Sequence, residues 1–224
     1  MPVKHLLPVI SFAIPLLLGG CASVSVTRVR HDAPEKAATR PSVIYVQPFA
    51  IDQGEFNVDR VADELAQFKK DLATVMQDYL VALATKHLGV TARAVSAYPK
   101  GETGWLITGH FTRVNQGSRA LRMVIGFGAG GTKMETAVRV DDLGPNPDRR
   151  FLNFETTGGS GAEPGAITGG GLSGVAVSAA TGVGKGVSED CARTAKMIIA
   201  TLSEYMALQG WILPEDALVP KREN

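Results

Sequence analysis

A chain of 224 residues is long enough for one domain with a real core. Its 23 Lys and Arg face 22 Asp and Glu, so no global charge pulls it toward nucleic acid. Hydrophobic residues at 45% and charged residues at 20% match an ordinary globular balance.

The N-terminus speaks to the compartment. Lys4 and His5 form a short basic start, before the uncharged apolar stretch "LLPVISFAIPLLLGG" from Leu6 to Gly20. It is short for a membrane span, and Pro8 and Pro15 weaken it as a helix. It reads as a secretory signal ending in small residues, residues 1–20. Leu18-Gly19-Gly20-Cys21 resembles the bacterial lipobox, although Gly19 stands where Ala or Ser is commoner. That resemblance implies that Cys21 is acylated and becomes the first mature residue. Ala22 is not the Asp that tends to retain lipoproteins in the inner membrane, which implies the outer membrane, facing the periplasm. Each buried lipid CH₂ would contribute roughly 0.8 kcal/mol to the anchor. With Cys21 lipidated, Cys191 has no intrachain partner and reads as a small buried hydrophobe within a helical pattern.

Residues 21–41 mix Ser, Thr, Ala, Pro and charge and read as a tether, with His31 solvated. "SVIYVQPF" (42–49) predicts a strand buried on both faces and ended by Pro48. Val61, Leu65, Phe68, Leu72, Met76, Tyr79 and Leu83 recur at helical spacing and predict a helix over 58–88. Asp59, Asp63 and Glu64 suit its N-terminus; Lys86, His87 and Gly89 suit its end. Strands come next at 91–96, 105–115, 119–127, 132–142 and 149–157, then a glycine-rich insert at 158–186 and a helix at 187–209. No element is evident in the tail, 211–224. This order predicts a single α/β (α+β) domain over 42–210. It would have a mixed sheet of about five to six strands and two long helices packed on one face.

"GFGAGG" (126–131) spells GxGxxG, yet the residues after it, from Thr132 on, alternate with a strand's period, whereas a dinucleotide turn must open a helix. The glycines therefore read as a strand-to-strand crossing. "GVGKGVS" (182–188) lacks the first Gly of a P-loop and the hydroxyl after Lys185. No nucleotide, nucleic acid, metal or other cofactor is expected. His31, His87 and His110 show no ligand spacing, no GxSxG elbow is present, and no catalytic residue is nominated.

Two surfaces stand out. Arg113, Arg119 and Arg122 flank an "NQGS" turn, with Lys133 and Arg139 on the next strand, and could meet headgroups, a glycan or a partner protein. The competing reading is a charged sheet face answered by Glu135, Asp141 and Glu155. In the uncharged stretch from Ala166 to Gly184, small residues recur every four positions: Ala166, Gly170, Gly174, Ser178, Gly182 and, just beyond, Gly186. Three readings stand for it: an irregular loop, a glycine-zipper helix packed on a partner or a second copy, and a membrane contact.

"IYVQPF", the long helix, "WLITGHFTRV" and the late Ala-rich helix resemble the α/β module of the TolB N-terminal domain and the curli-secretion lipoprotein. "GHFTRVNQGSRALRMVIGFGAGGTKMET" resembles a family of bacterial lipoproteins known as domain of unknown function 4410. That family brings no established activity and no catalytic residues. The expectation is a non-enzymatic binding or scaffold module of the cell envelope, with an envelope protein or itself as partner. The alternative is an oligomeric secretion or pore component.

Overall fold

The computed structural model describes residues 23–30, 40–117, 131–144, 149–159 and 180–222. In chain order the elements are β1 (Ser23–Arg30), β2 (Val43–Val46), β3 (Glu55–Asn57), α1 (Ala62–His87), β4 (Thr91–Ala94), β5 (Trp105–Asn115), β6 (Lys133–Asp142), β7 (Arg149–Gly159), α2 (Ala180–Val183) and α3 (Lys185–Leu208). A 3-10 turn at Pro214–Asp216 comes last.

The strands form one sheet in the order β1-β7-β6-β5-β2-β4, with β3 pairing β5 beyond the end of β2. β2 runs parallel to both β4 and β5, while β5, β6, β7 and β1 are successively antiparallel. The sheet is therefore mixed, as the element order predicted.

Both long helices lie on one face. Phe68, Leu72, Met76, Leu80 and Leu83 of α1 and Ile198, Ile199 and Leu202 of α3 join one core with Ile44, Ile107, Val138 and Phe154 from the sheet. On the opposite face, Tyr45, Leu106 and Leu143 form a small separate cluster. At one end of the main core, Trp105 packs against a tilted Phe151 at 4.8 Å and meets Tyr205 and Trp211 at 5.9 Å each.

The helix expected at 58–88 starts later, at Ala62. The residues just before it are used otherwise: Glu55–Asn57 add a strand to β5, and Arg60 N–H turns back to the Val58 carbonyl. Val61, placed first in the helical stripe, is extended and 76% exposed, so that residue falls outside the buried face. The Arg60 guanidinium instead covers the Phe68 ring at 4.3 Å. The helix ends as expected, with Leu88 N–H on the Ala84 carbonyl and Gly89 at φ +63°.

The two flanks are more structured than expected. Within the stretch read as a tether, Ser23–Arg30 is an edge strand on β7. Its "SVSV" alternation buries Val24 and Val26 on the core side. The tail also docks. Lys221 offers its carbonyl to Val26 N–H at 2.7 Å, and Leu218 N–H donates to Ser203 Oγ at 3.0 Å. Among the described residues no helix is long and apolar enough to cross a membrane.

Candidate functional site

The face of the sheet away from the helices carries most of the polar side chains singled out in the sequence. A bulge in β5 controls which ones. Strict alternation would set Arg113 on the same side as Trp105, Ile107 and Phe111, in the core. The register with β6 slips between Phe111 and Arg113, so Phe111 and Val114 both point inward and Arg113 turns out. The local signal is Val114, an apolar residue out of phase with the alternation before it.

Once outward, Arg113 lies opposite Glu135 of β6 and Glu55 of β3. Its Nε donates to Glu55 Oε2 at 3.3 Å, and Nη1 lies 3.9 Å from Glu135 Oε2. Lys133 Nζ sits 2.7 Å from Glu135 Oε1, which also accepts from Thr157 Oγ1 at 3.2 Å. Burial alone would push the Glu135 carboxyl up, but Lys133, Thr157 and Arg113 outweigh it and hold it below its ordinary value. Further along, Arg139 is bound by Asp141 and Arg28 by Glu155 at 3.1 Å. The described part of the basic cluster is thus a ladder of paired charges, the charged-face reading of this sheet. Such exposed pairs contribute at most about 1 kcal/mol each, so their geometry matters more than their energy. Arg119 and Arg122 lie outside the described residues.

The crossing that contains GFGAGG joins β5 to β6, and these strands are antiparallel neighbours. Gly131 precedes a strand, as the alternation predicted; residues 126–130 are outside the described part, as is the strand expected at 119–127. "GVGKGVS" spans the junction of α2 and α3. Gly184 takes φ +80° and ψ 154°, which breaks the helix there, and Lys185 is exposed with Glu189 at 3.9 Å.

Of the glycine stripe, Ala166, Gly170, Gly174 and Ser178 lie outside the described residues; Gly182 and Gly186 do not. A Cβ on Gly182 would collide with the Asp71 carboxylate of α1, and Arg60 reaches its carbonyl at 3.3 Å. A Cβ on Gly186 would come within 3.3 Å of the Thr132 methyl group. These two small residues therefore pack against the same chain, and the break at Gly184 separates them. Cys21 is outside the described residues.

Cys191 is fully buried and, pressed by desolvation and Asp190, its thiol titrates far above the ordinary range. This agrees with an inert structural residue. His110 is half-buried on the open face, and His87 sits at the end of α1, where burial together with Lys86 and Lys196 lowers its pKa. The adjacent carboxylates Glu189 and Asp190 read in the sequence as solvated cap residues, but Asp190 is buried and pairs with Arg193, one helical turn on along α3, a partner the sequence pattern did not suggest. Burial raises the Asp190 pKa, against the opposing pull of Thr132 and Arg193.

The sequence from residue 44 to 177 matches the family described as "Domain of unknown function (DUF4410)". The chain belongs to this family. The DUF4410 match contains all of β3 to β7 and nearly all of β2, and so the bulge, the glycine crossing and all of the charge ladder but Arg28; β1, α2 and α3 lie beyond it. No curated protein matches the chain. Among solved structures, it is similar to a PelC dodecamer from Paraburkholderia phytofirmans, at 10% identity and TM-score 0.36, covering 64% of this chain and 86% of that one. A point variant of that PelC gives 10% identity, TM-score 0.39, and coverage of 65% and 87%.

Proposed function

We propose that this DUF4410 protein is a lipid-anchored, non-enzymatic binding or scaffold module of the cell envelope, held at the outer membrane through Cys21 and facing the periplasm. The observation that carries the reading is the position of β1. Ser23, two residues after Cys21, is already paired with Gly159 of β7. An acylated Cys21 would therefore hold the sheet edge directly at the bilayer, with almost no slack. Among the described residues both long helices occupy the other face, which would leave the open face of the sheet to a partner.

Acylation has a direct chemical signature. The chain has two cysteines, and lipidation converts Cys21 to a thioether. Unfolded protein from membranes should show one titratable thiol, that of Cys191; two thiols would sink the anchor. Metabolic labelling with an alkyne fatty acid should mark the wild type and fail to mark Cys21→Ser. A scaffold also predicts capture of a reproducible envelope protein by crosslinking in cells. Robust hydrolase or nucleotide turnover by the purified protein, lost on a single substitution, would replace this reading with an enzymatic one.

A further inference from the structure

The open face of the sheet contains a cavity of about 300 Å³, lined by Ala50, Gln53, Thr108, His110, Arg139 and Asn153 among others. The topology makes it. β2 pairs with β5 only as far as Val46 and Ile107, and β3 takes up β5 at Arg113. Between them the chain continues along the same edge of β5, where Ala50 bridges to His110. Across the sheet from that edge the registers align Thr108 with Arg139 and Arg139 with Asn153, while His110 lies opposite Ala137. Ala50 and Ala137 are small, which leaves the space open.

Several polar groups here are unspent. Arg139 gives its Nε to both oxygens of Asp141 at 2.7 Å, with Nη2 at 2.6 Å. The Asp141 side chain, two residues along β6, is only 5% exposed, so one edge of the guanidinium is held in place beside it. Its Nη1 has no partner among the described residues, and neither do the side chains of His110, Asn153 and Gln53. Arg150, which is engaged elsewhere, also borders the cavity, and among the described residues no carboxylate lines it. Glu155, on the neighbouring row, is occupied by Arg28.

We infer that this cavity binds an oxyanion, a carboxylate or phosphate group on a small ligand, with Arg139 as the principal contact. A guanidinium already clamped on one side presents its remaining N–H groups without losing further rotamer freedom. The Gln53 and Asn153 amides and the His110 ring supply neutral hydrogen bonds around it. The volume suits a ligand at the small end of the usual range.

The test is calorimetric titration of the full-length protein with inorganic phosphate, with glucuronate and with glucose, together with NMR of the histidine rings. Binding of either oxyanion, a shift of the His110 resonance and no binding of glucose support the site; the preferred oxyanion identifies the source of the charge. Arg139→Gln should weaken binding about tenfold or more, because it removes a charge-assisted bond. If that variant folds poorly, Gln53→Ala on the exposed segment between β2 and β3 should still weaken binding by a few-fold. Silence of His110 with both oxyanions, equal binding of glucose, or unchanged affinity in the folded variants would overturn the assignment.

Discussion

Gln77 of α1 reaches the ends of two parallel strands at once, donating to the Val46 carbonyl at 2.7 Å and to the Val95 carbonyl at 3.2 Å. Val46 and Val95 are already joined by a backbone hydrogen bond of 2.9 Å. One buried amide thus ties the helix to the point where β2 and β4 stop pairing. Gln77→Leu should preserve packing yet leave carbonyl oxygens short of a donor, lowering stability by roughly 1–3 kcal/mol. Thr74→Ala, whose hydroxyl bonds the Lys70 carbonyl on the exposed side, should change it little. Urea unfolding of the two variants measures the contrast, and equal midpoints would contradict it.

Gly104 admits no side chain. It combines φ +127° with a backbone approach in which a Cβ would collide with the Val43 carbonyl oxygen. Its own carbonyl accepts from Leu143 N–H at 2.8 Å, so the turn cannot swing away without loss. Gly104→Ala should cost about 2 kcal/mol or more in thermal or urea unfolding. Gly101→Ala, also at positive φ but with open space around it, isolates the conformational part of that cost.

Both predictions rest on contacts that local pattern does not encode, and this marks the limit of what the sequence made legible. β6 was readable because Met134, Val138 and Val140 alternate with Lys133, Glu135 and Arg139, and a half-buried strand requires that period. α1 was readable through Phe68, Leu72 and Met76, but its start was not. Whether residues 55–57 become strand or helix depends on β5, far along the chain. β1 hid inside a linker-like composition, although Val24 and Val26 alternate, because its partner β7 is distant. Arg113 was legible as a basic surface residue; the bulge that puts it opposite Glu135 was not.

Asp190 makes stability depend on pH. Its pKa is raised in the folded protein, so over the interval above the ordinary carboxylate value the native state holds a proton that the unfolded chain has released. Its contribution is therefore present at low pH and lost as pH rises through the raised folded value. Asp190→Asn abolishes that slope. Urea midpoints measured from about pH 4 to 7 should show the variant gaining on the wild type as pH rises, whatever its absolute stability. Parallel curves would contradict the assignment.

Trp211 anchors the tail by packing against Trp105 at 5.9 Å and Tyr205 at 6.3 Å. Trp211→Ala should lower stability by about 2–4 kcal/mol, less than a fully enclosed tryptophan because its ring is partly exposed. It should also speed amide exchange at Val26, whose N–H is held by Lys221 in that tail. Unaltered exchange at Val26 would show that the tail docks without this ring.

The pairing of β1 has a consequence for the order in which the molecule can be completed. Ser25 bonds to Thr157, 132 positions later, and Val26 waits for Lys221 near the end of the chain. During synthesis from the N-terminus, the first strand to emerge is among the last to find its partners. Until then the valines of β1 stay solvated. Closure of such distant contacts is slow and leaves a strand edge exposed to other chains. β7 meets a β1 that is already made, so this edge can close once residues 149–159 are out, and the Val26 N–H gains its acceptor only when Lys221 follows.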